Sequence, residues 1–187
     1  MALTNKEIEL VYLGVSIASG CKPCTSYHLG KVKEAGASEH EIKNAITVSV
    51  NIRDDAKSEM KNYSMNLLGQ SSQHEVMEEK LELDRMKILV SIGAAFTVNC
   101  TSTLNKYIAL REPTTITNKD LNKIFRAAKF VKIKAASHVD KIAMGFEGAN
   151  ADEGSTHKSA DCGCEKDNYN VQIKSSNKDV EVKNNCC

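Results

Sequence analysis

Glu9-Leu-Val-Tyr-Leu-Gly-Val-Ser-Ile-Ala-Ser-Gly-Cys21-Lys-Pro-Cys24-Thr-Ser-Tyr-His28 is the stretch on which the reading of this chain turns. Side chains three and four positions apart share a helix face, so Cys21, Cys24 and His28 fall on one stripe. Ser19-Gly20 reads as a helix start that puts Cys21 in the first turn, where the backbone dipole favours an anion. Two thiols one turn apart with an imidazole beyond suit reversible disulfide chemistry, because the thiolate is the nucleophile. A CxxC pair also serves as half of a zinc site, which needs two further ligands. His28 offers a third ligand, but the body holds no second CxxC or HxxxH pair. Two buried core cysteines are the third reading. Glu9 lies in an otherwise apolar segment, Ile8 to Ile17. It is either a solvated first-turn residue or a general base within reach of the dithiol.

Outward from this stretch the sequence reads as helices. Thr4-Asn-Lys-Glu7 and Ser38-Glu-His-Glu41 are capping boxes, and Gly36 closes the helix that carries the cysteines. Ser72-Gln-His-Glu75 and Thr117-Asn-Lys-Asp120 open two further long segments. Apolar residues recur at helical spacing: Leu10, Leu13 and Ile17; Ile42, Ala45 and Ile46; Ile88, Ile92 and Ala95; Leu121, Ile124 and Ala128. Ile46-Thr-Val-Ser-Val50 alternates like a strand. It follows a strong cap and has no turn or partner strand, so it reads as a buried helix segment. The body is expected to be all-α.

Val15 to Cys24 echoes Val90 to Cys100 if one inserted residue is allowed. On that alignment Thr97 stands for Cys21, Cys100 for Cys24 and Leu104 for His28. This suggests two related helical units, one chemically equipped and one not. Cys100 then reads as a small buried hydrophobe, a relic. The expected organisation is an equipped unit over 1–70, a degenerate copy over 71–148, and a polar tail over 149–187.

The segment Glu9 to His28, with Glu34-Ala-Gly-Ala-Ser38-Glu-His-Glu41-Ile, resembles the carboxymuconolactone decarboxylase superfamily, and within it the alkylhydroperoxidase D-like branch. That branch carries a glutamate, a CxxC twelve residues on, and a histidine four residues after the second cysteine. The resemblance covers 4–55 and, more weakly, 84–142. It implies an all-helical fold that forms homotrimers or hexamers, with the dithiol near a subunit interface. It also implies that Cys24 attacks the peroxide and becomes a sulfenic acid. Cys21 would resolve it to a disulfide, which an external dithiol reductant of thioredoxin-like or lipoyl type reopens. Glu9 and His28 would relay the proton. No cofactor is required. Relatives place a second histidine before the second cysteine, and here Pro23 stands there, which leaves another thiol-linked reaction such as disulfide reduction open. The founding decarboxylases generally lack the dithiol, which points away from lactone decarboxylation.

Composition narrows the classes further. With 25 basic and 24 acidic side chains the net charge is +1, so no field argues for nucleic acid or an anionic membrane. No apolar run has signal-peptide or membrane-spanning length, and the expected address is cytoplasmic. The seven cysteines are too many for inert packing and the chain too long for a secreted disulfide scaffold. From about Gly148 the sequence turns polar and is expected to be flexible, although Tyr169 to Lys174 and Asp179 to Val182 alternate as a short hairpin would. Its Cys162, Cys164, Cys186 and Cys187, with His157 nearby, form a candidate site for zinc, copper or arsenite. That gives the rival function, a metal or metalloid-binding accessory protein on an oligomeric helical scaffold. The same cysteines also read as a tethered redox arm, or as inert. His40, His74 and His138 read as solvated.

Overall fold

The computed structural model describes residues 2–70, 84–111 and 115–144, all within one unit, Met1–Asp152. The whole tail, including its four cysteines and the hairpin segments, lies outside the described residues, as does the cap expected at Ser72. The described residues form six α-helices and no strand: α1 (Asn5–Ala18), α2 (Lys22–Glu34), α3 (Glu39–Leu67), α4 (Arg85–Thr97), α5 (Thr101–Ala109) and α6 (Asn118–Met144). None of them is long and apolar enough to cross a membrane.

The boundaries follow from local chemistry. Thr4 and Glu7 form a reciprocal capping box at α1, and Ser38 and Glu41 form one at α3. Thr117 and Asp120 do the same before α6, with Thr117 N–H to Asp120 Oδ2 at 3.0 Å and Asp120 N–H to Thr117 Oγ1 at 3.2 Å. The alternating Ile46–Val50 segment is helical, inside α3, but only in part buried. Val48 and Ser49 face the core, while Ile46 and Val50 face solvent at 37% and 42% exposure. A two-residue alternation cannot stay on one side of a helix.

The core is the crossing of α1 and α4. On α4 every residue from Ile88 to Ala95 is buried, and α1 hides seven of its residues. A helix apolar all round must be surrounded, and α3 and α6 each pack on both α1 and α4. The crossing is close because glycines meet it. A Cβ on Gly14 would lie 2.6 Å from Val90 Cγ1, and one on Gly93 would lie 3.1 Å from Val11 Cγ1.

These contacts are reciprocal. Residue n of the first half corresponds to residue n+79 of the second: Gly14 to Gly93, Ser38 to Thr117, Cys21 to Cys100. Arg53 reaches the carbonyl of Ile17 at 3.4 Å, and its counterpart Lys132 reaches that of Phe96 at 3.5 Å. The α1–α3 and α4–α6 segments therefore make matching contacts across the α1–α4 crossing. The ungapped register corrects the one read from sequence: Cys100 corresponds to Cys21, not Cys24. Thr103 takes the place of Cys24 and Tyr107 that of His28. The residue that seemed inserted is an alignment artefact of the short apolar match.

The capping carboxylates set an acid limit. Lys6 at 2.7 Å, with the Ser38 N–H and hydroxyl, holds the Glu41 carboxyl down at about 2, against an ordinary 4.5. At Asp120 burial pushes upward, but bonds from Thr117 and Leu3 and the charge of Arg85 leave it net lowered. A lowered folded-state pKa gives stability that is present above the unfolded value and lost as pH falls through the folded one. The melting temperature should accordingly fall between pH 4.5 and about 2. Glu41→Gln should make that fall smaller by about 5 °C, solvent screening of this partly exposed pair included, as read by circular dichroism melts.

Candidate active site

The site starts where α1 stops. Gly20, in the left-handed region at φ +71°, reverses the chain, with Gly20 N–H bonded to Ile17 O and Cys21 N–H to Ser16 O. A side chain there would also meet Arg53, whose guanidinium lies 2.9 Å from an ideal Cβ. Glycine adopts this conformation without strain, whereas the counterpart turn uses Asn99 at φ +60°. Cys21 is then the N-cap of α2 rather than a first-turn residue, and its Sγ accepts the backbone N–H of Cys24 at 3.3 Å. Pro23 fits beside it because a first-turn N–H has no intrahelical partner. Sequence reading placed both cysteines on the helical stripe. The structure uses one as the cap and the other as the third residue of the helix.

Cys21 and Cys24 are joined as a disulfide, with 5.4 Å between their Cα atoms and each sulfur-bearing residue 6% exposed. One turn on, the His28 side chain is 6% exposed, and its Nδ1 lies 3.3 Å from Glu9 Oε2 on α1. An ionised carboxylate only accepts, so toward it Nδ1 is the donor. Tyr12, one turn beyond Glu9 on α1, stacks on the imidazole with centroids 4.8 Å apart and planes 3° from parallel. Tyr27 meets the same ring edge-on at 5.1 Å. The histidine is thus fixed by three neighbours. The Glu9 side chain is 19% exposed and its Oε2 faces His28, so it is not a freely solvated first-turn residue.

One residue of this site was missed. His138, read as a solvated side chain on a basic helix, is half-buried on α6. One of its ring nitrogens and the sulfurs of Cys21 and Cys24 all lie within 4.8 Å of one another. The sequence does carry a signal for it: with the caps Ser38 and Thr117 aligned, His138 falls on Glu59, which bonds Cys100. Among the described residues this is the one close group of three soft or acidic donors. With the sulfurs bonded to each other neither is a thiolate donor; reduced, the trio offers two sulfurs and one imidazole nitrogen. The tail cysteines proposed for metal lie outside the described residues.

Fold and site together define a helical protein with a buried CxxC disulfide and a carboxylate–imidazole pair beside it. Residues 2–59 match the model of the carboxymuconolactone decarboxylase family, and the alkylhydroperoxidase D-like branch resembled by the motif is a member of that family. The matched segment holds α1, α2, most of α3 and all of Glu9, Cys21, Cys24 and His28. No curated protein and no solved structure matches the chain.

Proposed function

We propose that this chain is a thiol-dependent peroxidase of the alkylhydroperoxidase D-like kind, which reduces hydroperoxides through Cys24 and Cys21. The observation that carries the reading is a buried, closable Cys21–Cys24 pair beside an oriented Glu9–His28 couple. In the reduced protein, the Cys24 thiolate attacks one peroxide oxygen. The S–O bond forms, the O–O bond breaks, and the departing alkoxide takes a proton to leave as alcohol. His28 Nε2 handles that proton while Glu9 holds the ring in the useful tautomer. Cys21 then attacks the Cys24 sulfenic acid, which gives the disulfide and water. An external dithiol exchanges with the disulfide and is itself oxidised, returning two electrons and two protons.

The test is direct. The full chain is mixed with cumene hydroperoxide and dihydrolipoamide, peroxide loss is followed, and the cysteine peptides are mapped. Turnover, together with a Cys21–Cys24 disulfide after one equivalent of peroxide, is the expected result. If the reduced chain leaves peroxide intact and stays a dithiol, the peroxidase reading fails. Glu9→Gln keeps the shape but weakens the orienting bond to His28. It should lower kcat/KM by about 10²-fold while leaving the melting temperature close to that of the parent.

A further inference from the structure

The second half contains a silent counterpart of the site. Cys100 caps α5 with φ −86° and ψ 100°, as Cys21 caps α2 with φ −88° and ψ 99°. Its sulfur donates to Glu59 Oε2 at 3.0 Å, a carboxylate that also accepts from the Ser102 hydroxyl. Glu59 comes from α3, in the other half of the molecule. Its counterpart under the same register is His138 on α6, the residue that stands within 4.8 Å of both sulfurs of the first site. Each N-capping cysteine therefore meets one side chain from the opposite half. At Cys100 that side chain is a carboxylate. At Cys21, and at the Cys24 bonded to it, an imidazole stands within 4.8 Å.

We propose that His138 is the proton-handling residue for Cys21, a role that rests on the dithiol reading above and divides the labour within it. A carboxylate facing a thiol can accept its hydrogen bond, whereas an imidazole can take the proton and return it at neutral pH. In the resolving step the Cys21 S–H proton passes to His138, and the Cys21 sulfur attacks the sulfur of Cys24–SOH. The S–S bond forms and the S–O bond breaks. The leaving hydroxide takes the proton from the imidazolium and departs as water. Both electrons lost by the sulfurs have already gone to the peroxide oxygen. When an external dithiol reopens the disulfide, His138 protonates Cys21 as it leaves. Glu9 and His28 then serve Cys24, and His138 serves Cys21. The other charged groups at the turn are Arg53, against Gly20, and Lys22, next to Cys21; Lys134, Asp140 and Lys141 flank His138 on α6. Arginine and lysine add field but do not exchange protons near neutrality. With Pro23 inside the CxxC, the motif has no proton carrier of its own, and the second half brings one.

The experiment uses the full chain in a Cys24→Ser background, where Cys21 is the site's remaining thiol. Alkylation of Cys21 by iodoacetamide is followed against pH by peptide mass spectrometry, with Cys100 in the same samples as internal reference. His138→Gln should slow Cys21 alkylation at pH 7 about tenfold and move its profile about one unit upward. His138→Glu, which copies the Glu59 arrangement, should slow it further. With both cysteines present, one equivalent of hydrogen peroxide should leave a dimedone-trappable Cys24 sulfenic acid in His138→Gln where the parent closes its disulfide. Cys21 profiles that coincide for His, Gln and Glu at 138, in chains of equal melting temperature, overturn the proposal. A parent that ignores peroxide but shows the His138-dependent alkylation profile upholds the role of His138 and removes the peroxidase reading instead.

Discussion

Cys24→Ser is expected to lower peroxide consumption by at least about 10³-fold, because serine at this position has no accessible anion to attack oxygen. Cys21→Ser should behave differently. It still carries the attacking sulfur, so it should consume one equivalent of peroxide and stop, with Cys24 held as sulfenic acid. The asymmetry follows from the roles proposed above for the two sulfurs at the start of α2. Cys24 sits at its third residue, one turn before His28, while Cys21 lies outside the first turn as the cap. Measured as burst amplitude against steady-state rate, the pair of variants assigns the two sulfurs. Equal single-turnover bursts from both variants would reverse or erase that assignment.

The second large effect falls on the core. Gly14→Val should destabilise the fold by about 3 kcal/mol and lower the melting temperature by about 10 °C. The Cβ alone would lie 2.6 Å from Val90 Cγ1 and 2.7 Å from Ser49 Oγ, and both neighbours are fully buried on other helices. Neither can swing into solvent. Gly30 is the control, since a Cβ there meets nothing within 4 Å. Gly30→Ala in α2 should raise stability by about 0.5–1 kcal/mol through helix propensity alone. Opposite signs from two helical glycines would show that the crossing at Gly14, and not backbone preference, fixes the distance between α1 and α4. A Gly14→Val chain as stable as the parent would refute it.

Much of this was legible because it is local. The capping boxes at Thr4 and Ser38, the CxxC and the helical spacing to His28 all lie within a few residues of their partners. Glu9 was legible as one of two readings, since a carboxylate in an apolar run demands a partner but does not name it. His138 was not read, because nothing on α6 itself distinguishes it from a solvated histidine. Its meaning comes from packing between the halves, and the register that reveals it was set by a gapped match of apolar residues. The polar caps, Ser38 against Thr117, give that register without a gap. Ile46 and Val50 failed for a related reason: apolar character says a residue resembles core, while the helix phase decides which way it faces.

The reciprocal crossing has a consequence for how such a protein can change. Two separate copies of one half, paired this way, would hold two identical centres, and any substitution would strike both together. Within one chain each position is encoded twice, so a centre can lose its second thiol at Thr103 while its counterpart keeps Cys24. The shared framework has no such freedom: Gly14 and Gly93 press on each other's helices, and a change in either is felt by both halves. Divergence is open at the sulfurs and closed at the glycines.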